Sequence, residues 1–107
     1  MTPLHEQHCR PETAPLGDAE RRALLAERTG WHEVGGALEK RFSFSGWLET
    51  IAFVDALAWI CHVEDHHPEL SVSYDRCTVR FSTHSAGGIT RNDFVCAAKA
   101  DALVAGR

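Results

Sequence analysis

Apolar and polar residues alternate in four short stretches of the chain and recur at helical spacing in three others. Leu70-Ser-Val-Ser-Tyr74 and Cys77-Thr-Val-Arg-Phe81 alternate cleanly, as strands with one covered face do, and Asp75-Arg76 between them has the length of a two-residue turn. Leu70, Val72, Tyr74, Cys77, Val79 and Phe81 are expected to face the core, with the strand running on to Thr83 or His84. An earlier pair, Trp31–Val34 and Leu38–Phe44, flanks the turn signal Gly35-Gly36. There Leu38, Lys40, Phe42 and Phe44 share a face that Lys40 interrupts.

Helical spacing predicts the remaining elements. Asp18 is expected to cap a helix running through Glu27 or Arg28, with Leu24 and Leu25 on its apolar side and Gly30 as its stop. Ser45 is expected to cap a longer helix from Gly46 to about Asp65. That segment is apolar around most of its circumference, so it needs cover on more than one side, first from the sheet and then from a second subunit. Thr90 caps a last helix to about Val104, with Phe94, Ala97, Ala98 and Leu103 for packing, and Ser85–Gly88 is a loop before it. The order α-β-β-α-β-β-α predicts an α+β fold: a four-stranded antiparallel sheet with three helices packed on one face.

Composition narrows the function. The chain of 107 residues holds one core, and its 44% hydrophobic content can fill it. A formal charge of −4 argues against a nucleic-acid footprint, which would need a basic face. No apolar run is long enough for a bilayer, and residues 1–15 read as a polar, poorly ordered tail, so a cytoplasmic location is expected. The cysteines Cys9, Cys61, Cys77 and Cys96 form no C-x-x-C pair, and the last three lie in apolar periodic segments, as buried reduced thiols do.

The candidate chemistry lies in the histidines. His66 and His67 end the long helix, because Pro68 pushes the residue before it out of helical conformation. His84 lies beyond the second hairpin and Asp93 further on, where Thr90-x-x-Asp93 also reads as a capping box. Imidazoles supply both an acid and a base near neutral pH, with no cofactor. A metal reading on His62, His66 and a third histidine competes, but Val63 stands where a zincin motif has glutamate, and the pair straddles the helix end. His5, His8 and Cys9 in the tail form a weaker metal candidate.

The run His62-x-x-x-His66-His67-Pro68, with Asp65-His-His-Pro-Glu69, Tyr74, Ser82-Thr-His84 and Gly87-Gly-Ile-Thr-Arg-Asn-Asp93, resembles the signature of pterin-4a-carbinolamine dehydratases. The resemblance takes in Gly30-Trp31 and covers about residues 16–104, so residues 16–107 are expected as a single domain of this kind. It implies loss of water from 4a-hydroxytetrahydropterin to give quinonoid dihydropterin, recycling the pterin for an aromatic amino acid hydroxylase. It implies a homodimer or homotetramer; from the residues themselves no cofactor, metal, nucleic acid or membrane partner is expected. His66, His67 and His84 match the family's catalytic histidines, and Asp93 its acidic, substrate-binding residue. His66 and His84 are expected to be the acid–base pair, with His67 orienting. His62 stands where many members have an acidic residue, and Leu70 where an aromatic is common. A non-catalytic dimerisation or regulatory module of the same fold is the alternative.

Overall fold

The computed structural model describes residues 2–11 and 14–106. Its elements are α1 (Asp18–Ala26), β1 (His32–Val34), β2 (Ala37–Ser43), α2 (Trp47–Glu64), β3 (Glu69–Ser73), β4 (Arg76–Phe81) and α3 (Arg91–Val104), with short 3-10 turns at Leu4–Glu6 and His84–Ala86. The expected order and the antiparallel α+β sheet are both present; the strands lie β1-β2-β4-β3.

Register explains the core. Leu38, Lys40 and Phe42 of β2 pair with Phe81, Val79 and Cys77 of β4, so all six share one face. That face meets Phe53, Leu57 and Cys61 of α2 and Phe94, Ala97 and Ala100 of α3. Gly35 and Gly36 both have positive φ, 55° and 78°, which lets the β1–β2 hairpin turn in two residues. Lys40 keeps its place on the apolar face by reaching to the edge. Its ammonium lies over the Phe42 ring, Nζ 4.8 Å from the centroid, and donates to Asp101 Oδ1 at 2.7 Å.

The structure corrects several expectations. Leu70, Val72 and Tyr74 are not core: they are 37%, 39% and 67% exposed. Leu70 and Val72 do pair with Val79 and Cys77 on the apolar side. However, β3 is the edge strand, and α2 covers the sheet through a single stripe, Thr50, Phe53, Leu57 and Cys61. Of the other apolar residues of α2, Val54 packs partly against the core, but Trp47, Leu48, Trp59 and Val63 are exposed, Leu48 84% and Trp59 69%. Leu103 is likewise on the surface. The helix starts differ too: Gly17 and Gly46 take the capping positions, and α1 ends at Ala26. Ser45 instead donates its hydroxyl proton to Glu49 Oε2 at 2.9 Å.

Residues 2–11, expected as a poorly ordered tail, lie against α3 and the end of α2. Asn92 brackets Arg10, its Oδ1 accepting from the Arg10 N–H at 3.0 Å and its Nδ2 donating to the Arg10 carbonyl at 2.7 Å. The Cys9 N–H donates to Glu64 Oε1 at 2.7 Å, and Lys99 Nζ donates to the His5 carbonyl at 2.9 Å. The sequence signal was misleading because these bonds satisfy backbone groups with polar side chains. The hydrophobic pattern does not register such contacts.

Candidate active site

The end of α2 delivers His66. The His66 N–H donates to the Cys61 carbonyl at 3.1 Å and the Asp65 N–H to the His62 carbonyl at 3.2 Å, the paired bonds of a Schellman turn. Asp65 takes the left-handed conformation this turn requires (φ 52°, ψ 42°), which aspartate tolerates better than most side chains. The chain therefore leaves the helix axis one residue before His66, and residues 66–68 lie outside regular structure, in keeping with Pro68.

The start of α3 delivers Asp93, the third residue of its first turn. The expected capping box is present: Thr90 and Asp93 exchange side-chain-to-backbone bonds, with the Thr90 N–H donating to Asp93 Oδ2 at 2.9 Å. Thr83, two residues beyond the end of β4, donates its hydroxyl to the same oxygen at 2.9 Å. The other oxygen, Oδ1, stands 2.6 Å from His66 Nε2. Asp93 is fully buried and His66 nearly so, its side chain 12% exposed. The imidazole also stacks on Phe81, with centroids 6.0 Å apart and an interplanar angle of 13°.

The chemistry of this constellation follows from its donors. A carboxylate only accepts hydrogen bonds, so the proton between the two groups belongs on His66 Nε2, and Nδ1 is left to exchange a proton. Both Asp93 oxygens are engaged and the residue has no exposed surface, so it can hold the imidazole but has no surface for a ligand.

The other predicted residues are placed as follows. His84 opens the 3-10 turn directly after Thr83, and among the described residues its side chain makes no hydrogen bond to His66 or Asp93. It is exposed, and it lines a cavity of about 290 Å³ with Glu69, Arg80, Ser82, Thr83 and glycines of two loops. That volume is at the small end of ligand sites. His67 is exposed and forms no hydrogen bond among the described residues. Among the described residues, no three His, Cys, Asp or Glu side chains gather as metal ligands would. His62 lies against Trp59 instead, ring centroids 5.8 Å apart. Sequence reasoning missed the roles of Thr83 and Phe81; only the run Ser82-Thr-His84 pointed to the first.

Glu64, two residues before His66, is a further buried acid. Burial pushes its carboxyl upward, but the Cys9 N–H, His8 and Lys99 outweigh that, and the net direction is below the ordinary value.

Similarity to known proteins agrees with this geometry. The family model described as pterin 4 alpha carbinolamine dehydratase matches residues 14–103. A protein of Xanthomonas campestris pv. campestris (strain B100), provisionally named a pterin-4-alpha-carbinolamine dehydratase, is 49% identical over 96% of this chain and 92% of its own length. One of Xanthomonas oryzae pv. oryzae (strain MAFF 311018), named in the same way, is 50% identical over 92% and 88%. The crystal structure of a transcriptional coactivator/pterin dehydratase from Brucella melitensis superposes with a TM-score of 0.80 and 31% identity, covering 83% of this chain and 97% of that one. A pterin dehydratase-like RuBisCO assembly factor of the alpha-carboxysome, 21% identical with a TM-score of 0.59 over 96% of each chain, shares the fold. With a buried His–Asp pair at the junction of its two long helices and a family match over most of its length, the chain belongs to the pterin 4 alpha carbinolamine dehydratase family.

Proposed function

We propose that the protein dehydrates 4a-hydroxytetrahydropterin to quinonoid dihydropterin by histidine acid–base catalysis. The observation that carries the reading is the 2.6 Å contact between His66 Nε2 and the buried Asp93. The reaction needs a proton delivered to the departing 4a-hydroxyl, which leaves as water, and a proton taken from N5. His66 and His84 serve as the pair that gives and takes these protons, and His67 orients the pterin. Asp93, read from sequence as substrate-binding, becomes the positioning residue for His66, because it has no exposed surface. Each acid or base contributes about 10² to 10⁴ in rate. Purified protein is expected to accelerate the dehydration, and His66→Ala and His84→Ala each to lose most of the acceleration. Unchanged rates in both variants would remove the assignment.

The physiological setting belongs to the same proposal: a cytoplasmic enzyme that recycles pterin for an aromatic amino acid hydroxylase. No helix among the described residues is long and apolar enough to cross a membrane. The uncovered Leu48, Trp59 and Val63 of α2 and the open edge of β3 support a homo-oligomer. Sedimentation is expected to give a dimer or tetramer, and Leu48→Asp with Trp59→Asp to shift it toward monomer. The same surface carries the second reading, a regulatory module that binds a different protein. Co-purification of a stoichiometric heteromeric partner, with no dehydratase activity, would favour it over the enzyme.

A further inference from the structure

The sulfur atoms of Cys9 and Cys96 lie 3.5 Å apart, although the two residues come from opposite ends of the chain. A disulfide needs them roughly 1.5 Å closer, a movement within the reach of side-chain rotation and a small shift of one backbone. The backbone around Cys9 is aimed from both sides. Its own N–H is held by Glu64, and the next residue, Arg10, is bracketed by the Asn92 amide. Cys96 faces it one helical turn beyond Asn92, fully buried within α3. Cys9 is only half-buried, so an oxidant from solvent meets Cys9 first. The other thiols differ. Cys77 is buried on β4; Cys61, buried on α2, is near enough to interact electrostatically with Cys9 and Cys96 but forms no sulfur hydrogen bond with either among the described residues.

We propose that Cys9 and Cys96 are an oxidisable pair whose disulfide fastens residues 2–11 to α3. The oxidant is a hydroperoxide. The Cys9 sulfur, giving up its proton, attacks the terminal peroxide oxygen, the O–O bond breaks, and an alcohol (water, from hydrogen peroxide) leaves. Cys9 is then a sulfenic acid. The Cys96 sulfur attacks the Cys9 sulfur, the S–O bond breaks, and the hydroxide departs as water with the Cys96 proton. Two thiols have lost two electrons and two protons, and the peroxide has gained them. The Cys96 thiol is held well above the ordinary value by its hydrogen bond to Cys9 and by burial.

The test uses the full-length, freshly reduced protein, titrated with hydrogen peroxide. Free thiols are then alkylated under denaturing conditions, and peptides are mapped by mass spectrometry. The expected result is one cross-linked peptide pair joining residues 9 and 96, with two of the four thiols still alkylated and full reversal by dithiothreitol. Cys9→Ser, a change near the surface, is expected to abolish the link, and Cys61→Ala to leave it unchanged. A Cys61–Cys96 link, Cys9 carried on to the sulfinic acid with Cys96 still alkylated, or four alkylated thiols would each overturn the proposal. None of these readouts depends on catalysis, so the outcome is separable from the dehydratase reading.

Discussion

Two carboxylates on α3 organise opposite ends of the molecule, and their partners set them apart. Asp93, in the first turn, accepts from Thr83, the Thr90 backbone and His66. Asp101, near the other end, accepts from Lys40 at 2.7 Å, Trp31 Nε1 at 3.0 Å and Arg28 at 3.4 Å. Asp101 draws all three donors from elements distant in sequence, whereas Asp93 draws two, His66 and Thr83, from outside α3 and the third from its own helix cap. Every partner of Asp101 is a permanent donor, so that cluster can only hold the first hairpin and the end of α1 to α3. One partner of Asp93 can also lose a proton. The same device, a carboxylate with its oxygens filled, is structural at one end and, on the proposed function, serves chemistry at the other because a single donor is an imidazole.

Substitutions at the two positions should therefore fail differently. Asp93→Asn presents His66 with an amide that both donates and accepts, so the imidazole tautomer is no longer fixed. Turnover is expected to drop about 10²-fold or more with KM little changed, measured by steady-state dehydration assays. If turnover and melting temperature fall together, the pair is only a structural clasp. Asp101→Ala is expected to do the reverse. It strands Lys40 and the Trp31 indole, and the loss of about 1–3 kcal/mol should lower the melting temperature by roughly 10 °C. Activity per folded molecule should stay at the wild-type value.

A smaller effect sharpens the contrast from the acid side. The Glu64 carboxyl is pushed up by burial and pulled down further by the Cys9 N–H, His8 and Lys99, so its folded value lies below its unfolded one. Its contribution to stability is complete above the unfolded carboxylate value, about 4.3, and is lost as the pH falls through the folded value. Denaturant titrations across that window should have a shallower acid slope in Glu64→Gln than in wild type. An identical slope would mean that the contacts of Glu64 with residues 8 and 9 contribute nothing in solution.

How much of this the sequence disclosed depended on the kind of force involved. Hairpins and helices were legible because burial of Leu38, Phe42, Val79 and Phe81 imposes a period. The capping box at Thr90 was legible because its partners are local. Period does not tell an edge strand from a central one, so Leu70 and Val72 were placed on the correct face but wrongly in the core. His66, His67, His84 and Asp93 could be singled out as candidates, but not the way Asp93 serves His66. That depends on Thr83 and His66 meeting one carboxylate from two separate elements, and no spacing encodes it. The contacts of residues 2–11 were illegible for the same reason.

Those contacts have a practical consequence for anyone handling the protein. Cys9 grips Glu64, just ahead of His66, and Arg10 grips Asn92, just ahead of Asp93, so the leading segment bridges the roots of both proposed site residues. A purification handle or reporter spliced in front of Thr2 would pull on that bridge, whereas one spliced behind Gly106, beyond the last turn of α3, would leave it untouched.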